Sequence, residues 1–348
     1  MSHIALTLWA GVVIGLLFGA VGQASGFCLL RGVANSAKGD SRKLRAFMLA
    51  MATALLGTQW LAAMGYFSLS NSLYITPSFS WLALPLGGLL FGYGMALANG
   101  CGARSLVLLG SGNLRSVVVV MFLGIGAYIA LSGVLAPGRI YLEQATSIPL
   151  TTQDIAGLVA LPGWAVASLL GLPIAAWAFS SADFRASPRD WVSGLIVGSL
   201  IPAGWYATGV LGFDDFEPVR LASLTFVAPI GASLQYVMLS TGTRLSFGVA
   251  VVGGIILGAL ITALIRRDFH WQGFQGPGQM ARSMVGALMM GIGGVLALGC
   301  SIGQGITGMS TLALPSLIAL LCILLGAYLG VKGPLALSHM ASNHRSLH

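Results

Sequence analysis

Leu86-Gly87-Gly88-Leu89-Leu90-Phe91-Gly92-Tyr93-Gly94-Met95-Ala96-Leu97-Ala98-Asn99-Gly100-Cys101 aligns without a gap to Val285 through Cys300, and eight of the sixteen positions are identical. Two Gly/Leu-rich segments would share about a third of their positions by composition alone, so half, ending on a common Gly-Cys, points to an internal duplication. Outward from these segments the order of elements is the same. Residues 1–136 read as span, short piece, two spans, short piece, span, and residues 191–331 repeat that order. Nine full spans are expected near 4–25, 46–66, 82–98, 115–136, 157–180, 191–211, 246–265, 281–298 and 313–331. Four spans return the chain to its starting side and the fifth, 157–180, carries it across, so the second half begins on the opposite face. The expected fold is an all-α integral membrane protein with about nine transmembrane helices plus re-entrant half-helices, arranged as an inverted-topology repeat, a plan common among transporters. Its parts are a first membrane repeat, 1–136; a linker with a central transmembrane helix, 137–190; a second, inverted repeat, 191–331; and a cytoplasmic tail, 332–348.

Composition places this chain in a bilayer. Of its 348 residues, 56% are hydrophobic and 7% are charged, and the mean hydropathy is +0.89. A soluble domain carries about 25% charged residues to cover its core. A disordered chain, a secreted disulfide scaffold and a cytosolic enzyme are thereby excluded. No Asp, Glu, Lys or Arg falls between Arg45 and Arg104, nor from Ser283 to Val331. Each gap exceeds one spanning helix of about 20 residues. The 49 glycines suit helices whose backbones approach closely, and the runs lack the short alternating segments of a β-barrel. Four shorter apolar pieces, 28–37, 101–112, 222–238 and 300–312, are rich in Gly, Ser, Thr or Asn and read as re-entrant, a conformation tolerated at membrane depth only inside protein or beside a cavity. The piece 222–238 is long enough for a tenth crossing.

Charge sets the orientation. Nine spans leave only Arg139, Arg220 and Arg244 of the 17 basic residues on one side, beside Glu143, Asp154, Asp214, Asp215 and Glu217, and gather the rest on the other. The positive side is cytoplasmic, the N-terminus is outside and the C-terminus inside. A tenth crossing would move Arg266 and Arg267 outside and blunt this asymmetry. The net charge of +8 thus follows from topology and argues for no nucleic-acid partner. Met1–Ala24 lacks a basic leader and a clear cleavage site, and reads as the first span rather than a signal peptide.

Four cysteines are present. Cys322 sits in the middle of an apolar span and reads as a small buried hydrophobe. Cys28, Cys101 and Cys300 share another context: each follows a span and opens a short polar piece, in Gly26-Phe27-Cys28-Leu29, Asn99-Gly100-Cys101-Gly102 and Leu298-Gly299-Cys300-Ser301. A half-helix starting just after the cysteine aims unpaired N–H groups and its positive dipole end at the thiol, which makes an anion site. Partial hydration there would favour the thiolate and apolar burial the neutral thiol, so hydrogen bonding and nucleophilic attack are both open. No CxxC and no nearby His argue for a metal, no cofactor motif is present, and no Asp, Glu or His inside a span supports a hydrolytic pair or a carboxylate relay. Asn99, Gly100, Arg104, Gly299, Ser301 and Gln304, with Ser105 and Thr307, lie close to these cysteines as candidate substrate contacts. Arg104 either balances an anion or faces the cytoplasm. Gln23 and Gln235 read as interhelical hydrogen-bonding residues.

At these residues the chain resembles the YeeE/YedE family of bacterial inner-membrane proteins, whose best-understood member imports thiosulfate. The resemblance rests on the three cysteine segments, on Leu109-Gly110-Ser111-Gly112-Asn113-Leu114-Arg115-Ser116 and, most specifically, on Gly299-Cys300-Ser301-Ile302-Gly303-Gln304-Gly305, and it extends over the whole chain. It implies an hourglass of helices with loops dipping in from both faces. It also implies a path lined by Cys28, Cys101 and Cys300, with Cys101 central, and a separate cytoplasmic partner of the TusA-like sulfur-carrier type. Asn99 and Leu298 depart from the family pattern, standing where glycine is expected. The function so implied is uptake of a small sulfur-containing anion, thiosulfate first. The alternatives are another sulfur or selenium species, a membrane thiol enzyme acting on the sulfur substrate, and a sensor that binds the anion for a partner.

Overall fold

The structure, a computed structural model, describes residues 3–149, 154–213, 220–274 and 276–333. Asp214, Asp215 and Glu217, and all but the first two residues of the expected tail 332–348, lie outside them. The helices in chain order are α1 (His3–Ser25), α2 (Leu29–Ser36), α3 (Arg42–Ala63), α4 (Ala83–Leu97), α5 (Gly102–Gly110), α6 (Leu114–Leu131), α7 (Ala136–Ala145), α8 (Ile155–Val159), α9 (Gly163–Phe179), α10 (Ala182–Arg185), α11 (Pro188–Tyr206), α12 (Val227–Met238), α13 (Phe247–Ile265), α14 (Pro277–Leu296) and α15 (Leu314–Lys332). π-helical turns cover Ala207–Leu211, extending α11, and Gly303–Gly308, behind α14. Strands β1 (Ser78–Ser80) and β2 (Ser147–Pro149), three residues each, pair antiparallel and tie the two long loops together.

Among the described residues, six helical stretches are long and apolar enough to cross a membrane, those containing α1, α3, α6, α11, α13 and α15. Leu169, Leu257 and Leu321 face outward with half or more of their surface uncovered. In water each would forfeit roughly 1.5–3 kcal/mol of burial; against lipid it forfeits nothing. The chain is a multi-pass, all-α membrane protein. Helices α4, α9 and α14 occupy the other three expected spans. The stretch 157–180 is broken, because Ala160 is left-handed (φ 54°) and Pro162 precedes the long helix, so a short α8 comes first. The expected span 115–136 ends at Leu131, and a separate α7 follows with Pro137 in its first turn.

Packing is by glycine. α1 lies along α13 and α11 along α3; α4 lies along α15 and α14 along α6; α4 and α14 meet each other. A Cβ added at Gly87 would stand 2.5 Å from the Ala297 nitrogen, and one at Gly286 would stand 2.8 Å from that of Ala98. A Cβ at Gly19 would meet the Ile255 carbonyl oxygen at 2.2 Å, and one at Gly258 the Leu16 oxygen at 2.1 Å. These backbones touch directly, so no larger residue fits. Near the starts of α3 and α11, Lys43 Nζ donates to buried Asp190 Oδ1 and to the Ser25 carbonyl, both at 2.6 Å, fastening three helices. Gln235 accepts the Tyr128 hydroxyl and joins α12 to α6.

Candidate functional site: three thiols at helix starts

The three cysteine turns share a backbone. α4 ends with Asn99 left-handed (φ 57°) and the Gly100 N–H on the Met95 carbonyl at 3.0 Å. α14 ends with Leu298 left-handed (φ 56°) and the Gly299 N–H on the Gly294 carbonyl at 2.8 Å. Both are Schellman ends. α1 ends in the related single-bond form, with Gly26 at φ 67° and its N–H on the Gly22 carbonyl at 2.9 Å. In each case the cysteine lies two residues beyond the left-handed residue. Cys28 and Cys101 are then extended (φ −168° and −83°) and directly precede α2 and α5.

The free N–H groups at those helix starts follow directly on the cysteines. Cys28 and Cys101 occupy the cap positions of α2 and α5, where those N–H groups begin. The Gly303 N–H donates to Cys300 Sγ at 3.2 Å, with the Ile302 and Phe226 N–H groups also directed at it. The Cys28 and Cys101 thiols are electrostatic neighbours. All three are free and buried. Cys300 lies beyond the end of α14, next to Gly303 and Gln304. Cys322, half-buried, packs instead against Gly88 of α4.

The remaining expected residues divide. Arg104 is buried, with Nη1 on the Gly22 carbonyl at 3.3 Å and Nε without a partner. Ser301 and Gln304 are buried beside Cys300; the Ser301 hydroxyl and Gln304 Oε1 have no partner, while Gln304 Nε2 donates to the Ala297 carbonyl at 2.6 Å. Orphaned buried polar atoms are uncommon and call for an occupant. Gly100 and Gly299 are buried, and a Cβ on Gly299 would press on the Gln304 side chain at 3.1 Å. Asn99 is exposed; its backbone conformation accounts for its place in the turn. Thr307 donates to the Leu224 carbonyl at 2.6 Å and holds the segment before α12. Among the described residues no His, Cys, Asp and Glu side chains cluster to hold a metal ion.

One part of the site had no sequence signal. A cavity of about 610 Å³ is lined by Tyr74, Tyr128, Trp205, Thr225, Arg220 and Arg244, among others. Arg220 and Arg244 are exposed at its rim. Tyr74 is buried, and its hydroxyl and that of Thr225 both approach Gly303, where an added Cβ would stand 3.4 and 2.6 Å from them. Tyr74 comes from the α3–α4 loop and Thr225 from the segment before α12, so only the folded chain unites them.

Three buried thiols inside a multi-pass bundle that also holds an open cavity define the site of a membrane protein. Residues 24–329 match the family described as sulphur transport, and the chain belongs to that family, the YeeE/YedE proteins. The family is one of transport proteins, not enzymes. The chain is 28% identical to the thiosulfate transporter TsuA of Spirochaeta thermophila, over 92% of this chain and 96% of that one. It is 24% identical to the thiosulfate transporter TsuA of Escherichia coli K12, over 92% of each.

Proposed function

We propose that this protein carries a small sulfur-containing anion, thiosulfate first, across the bacterial inner membrane, from the cavity past Cys300 to Cys101 and then Cys28. The observation that carries this reading is the shared turn: three free, buried thiols, each two residues beyond a left-handed residue and just before a short helical piece, with the Gly303 N–H on Cys300 Sγ at 3.2 Å. Converging N–H groups offset the desolvation of an anion. Thiols donate only weakly, and weak sites release what they bind. The orphaned Arg104, Ser301 and Gln304 atoms supply further contacts along the way. The names of both relatives favour thiosulfate. Another sulfur or selenium anion is the alternative cargo.

The same reading takes the chain as two inverted repeats, 1–136 and 191–331, joined through 137–190, with nine crossings, the N-terminus periplasmic and the C-terminus cytoplasmic. Reciprocal contacts support it: α1–α13 mirrors α11–α3, and Gly87 against Ala297 mirrors Gly286 against Ala98. At 12 residues α12 is about 18 Å long, short of the roughly 30 Å hydrocarbon core. A separate TusA-like sulfur carrier would receive the anion on the cytoplasmic side. The test is uptake of radiolabelled thiosulfate into proteoliposomes by wild type and Cys101→Ala. Uptake abolished by the substitution is the expected result. Robust uptake by the variant would overturn the cysteine path, and no uptake by folded wild type would overturn thiosulfate as cargo.

A further inference from the structure

The floor of the cavity is built from two hydroxyls on separate elements. Tyr74 and Thr225 both line the cavity, and both hydroxyls stand beside Gly303. Gly303 completes the cluster. Its N–H holds Cys300 Sγ, and a Cβ added there would stand 2.6 Å from Thr225 Oγ1 and 3.4 Å from the Tyr74 oxygen. Trp205 meets Tyr74 edge-on, with ring centroids 6.3 Å apart, and donates its Nε1–H to Ser310 Oγ at 3.2 Å, which fixes the phenol from behind. Two hydroxyls of the cavity lining thus stand beside the turn whose N–H holds the Cys300 sulfur.

We infer that Tyr74 and Thr225 form the outer recognition site of this protein, binding the oxygen end of a small anion and turning its terminal sulfur toward Cys300. The inference rests on the transport reading above and deepens it. Hydroxyls are strong donors to charged oxygens, and a thiol is a weak one. An anion with oxygens at one end and sulfur at the other satisfies both partners in one orientation. An all-oxygen anion leaves one oxygen against a poor donor, and an imperfectly paired buried oxygen weakens binding. The hydroxyls thus supply affinity for oxygen, and the thiol supplies the preference for sulfur.

The test is equilibrium binding of radiolabelled thiosulfate to the purified full chain, beside uptake into proteoliposomes, for wild type, Thr225→Val, Thr225→Ser and Tyr74→Phe, with sulfate and hydrosulfide as competitors. Thr225→Val and Tyr74→Phe should weaken thiosulfate binding at least tenfold, the loss of about one charge-assisted hydrogen bond. Thr225→Ser should stay within about threefold of wild type, since it keeps the donor. Sulfate should lose potency as a competitor against Thr225→Val, while hydrosulfide, which offers no oxygen, keeps its own; a general folding defect would weaken both. Unchanged binding in Thr225→Val and Tyr74→Phe, or equal losses for sulfate and hydrosulfide, would overturn the inference even if uptake is normal. Binding with the expected pattern but no uptake would overturn transport and leave the outer site standing. Absence of thiosulfate binding by wild type would overturn both.

Discussion

Gly26, Asn99 and Leu298 carry one backbone device with three side chains, and they respond differently to substitution. Gly26 is left-handed, and a Cβ there would also stand 3.1 Å from Arg31 Nη1. Gly26→Ala should therefore lower stability by about 1–2 kcal/mol, read as a lower thermal midpoint in detergent. Asn visits the left-handed region readily, so Asn99→Gly should leave the midpoint within a few tenths of a kcal/mol of wild type. Leu298 has no such licence, and its strain is held by the Schellman bond of Gly299 and the buried turn around it. Cys322→Ala keeps the Cβ that packs against Gly88 of α4 and removes only the thiol, so uptake should be unchanged. A loss of uptake would place Cys322 on the path.

At the scale of elements, close helix pairs decide what is tolerated. Gly253 and Gly258 share α13, yet nothing lies within 4 Å of a Cβ at Gly253, whereas one at Gly258 would strike the Leu16 oxygen. Gly253→Leu should yield normal folded protein. Gly258→Leu should part α1 from α13 and leave little monodisperse protein on size-exclusion chromatography. Asp190→Ala strands Lys43 at the junction of α1, α3 and α11, at a cost of up to about 3 kcal/mol, also read by thermal midpoint. The six stretches long and apolar enough to cross a membrane were legible because their apolar runs are long and continuous. The break at Ala160–Pro162 was not, because apolar residues continue through it. The common turn before the cysteines was half legible: Gly26 and Asn99 advertise a left-handed position, and Leu298 conceals one. Tyr74 and Thr225 were invisible as a pair, since 150 residues of chain separate them and only tertiary packing joins them.

For the whole molecule, sidedness is the most direct test of the inverted arrangement. Lys38→Cys, in the turn between α2 and α3, should react with an impermeant thiol reagent only from the cytoplasmic side of intact cells. Thr241→Cys, between α12 and α13, should react only from the periplasmic side. Labelling of both from one face would break the inverted arrangement and the positive-inside assignment together.

The seam where α4 and α14 touch has a mechanical meaning. With Gly87, Gly94, Gly286 and Gly293 set backbone to backbone, α4 and α14 cannot slide along each other without collision. On the transport reading proposed above, passage would then fall to side chains inside the bundle, with no large swing across this seam. A covalent staple across the α4–α14 seam should accordingly leave flux intact, and the temperature dependence of flux should be shallow, as for a pore rather than a rocking carrier.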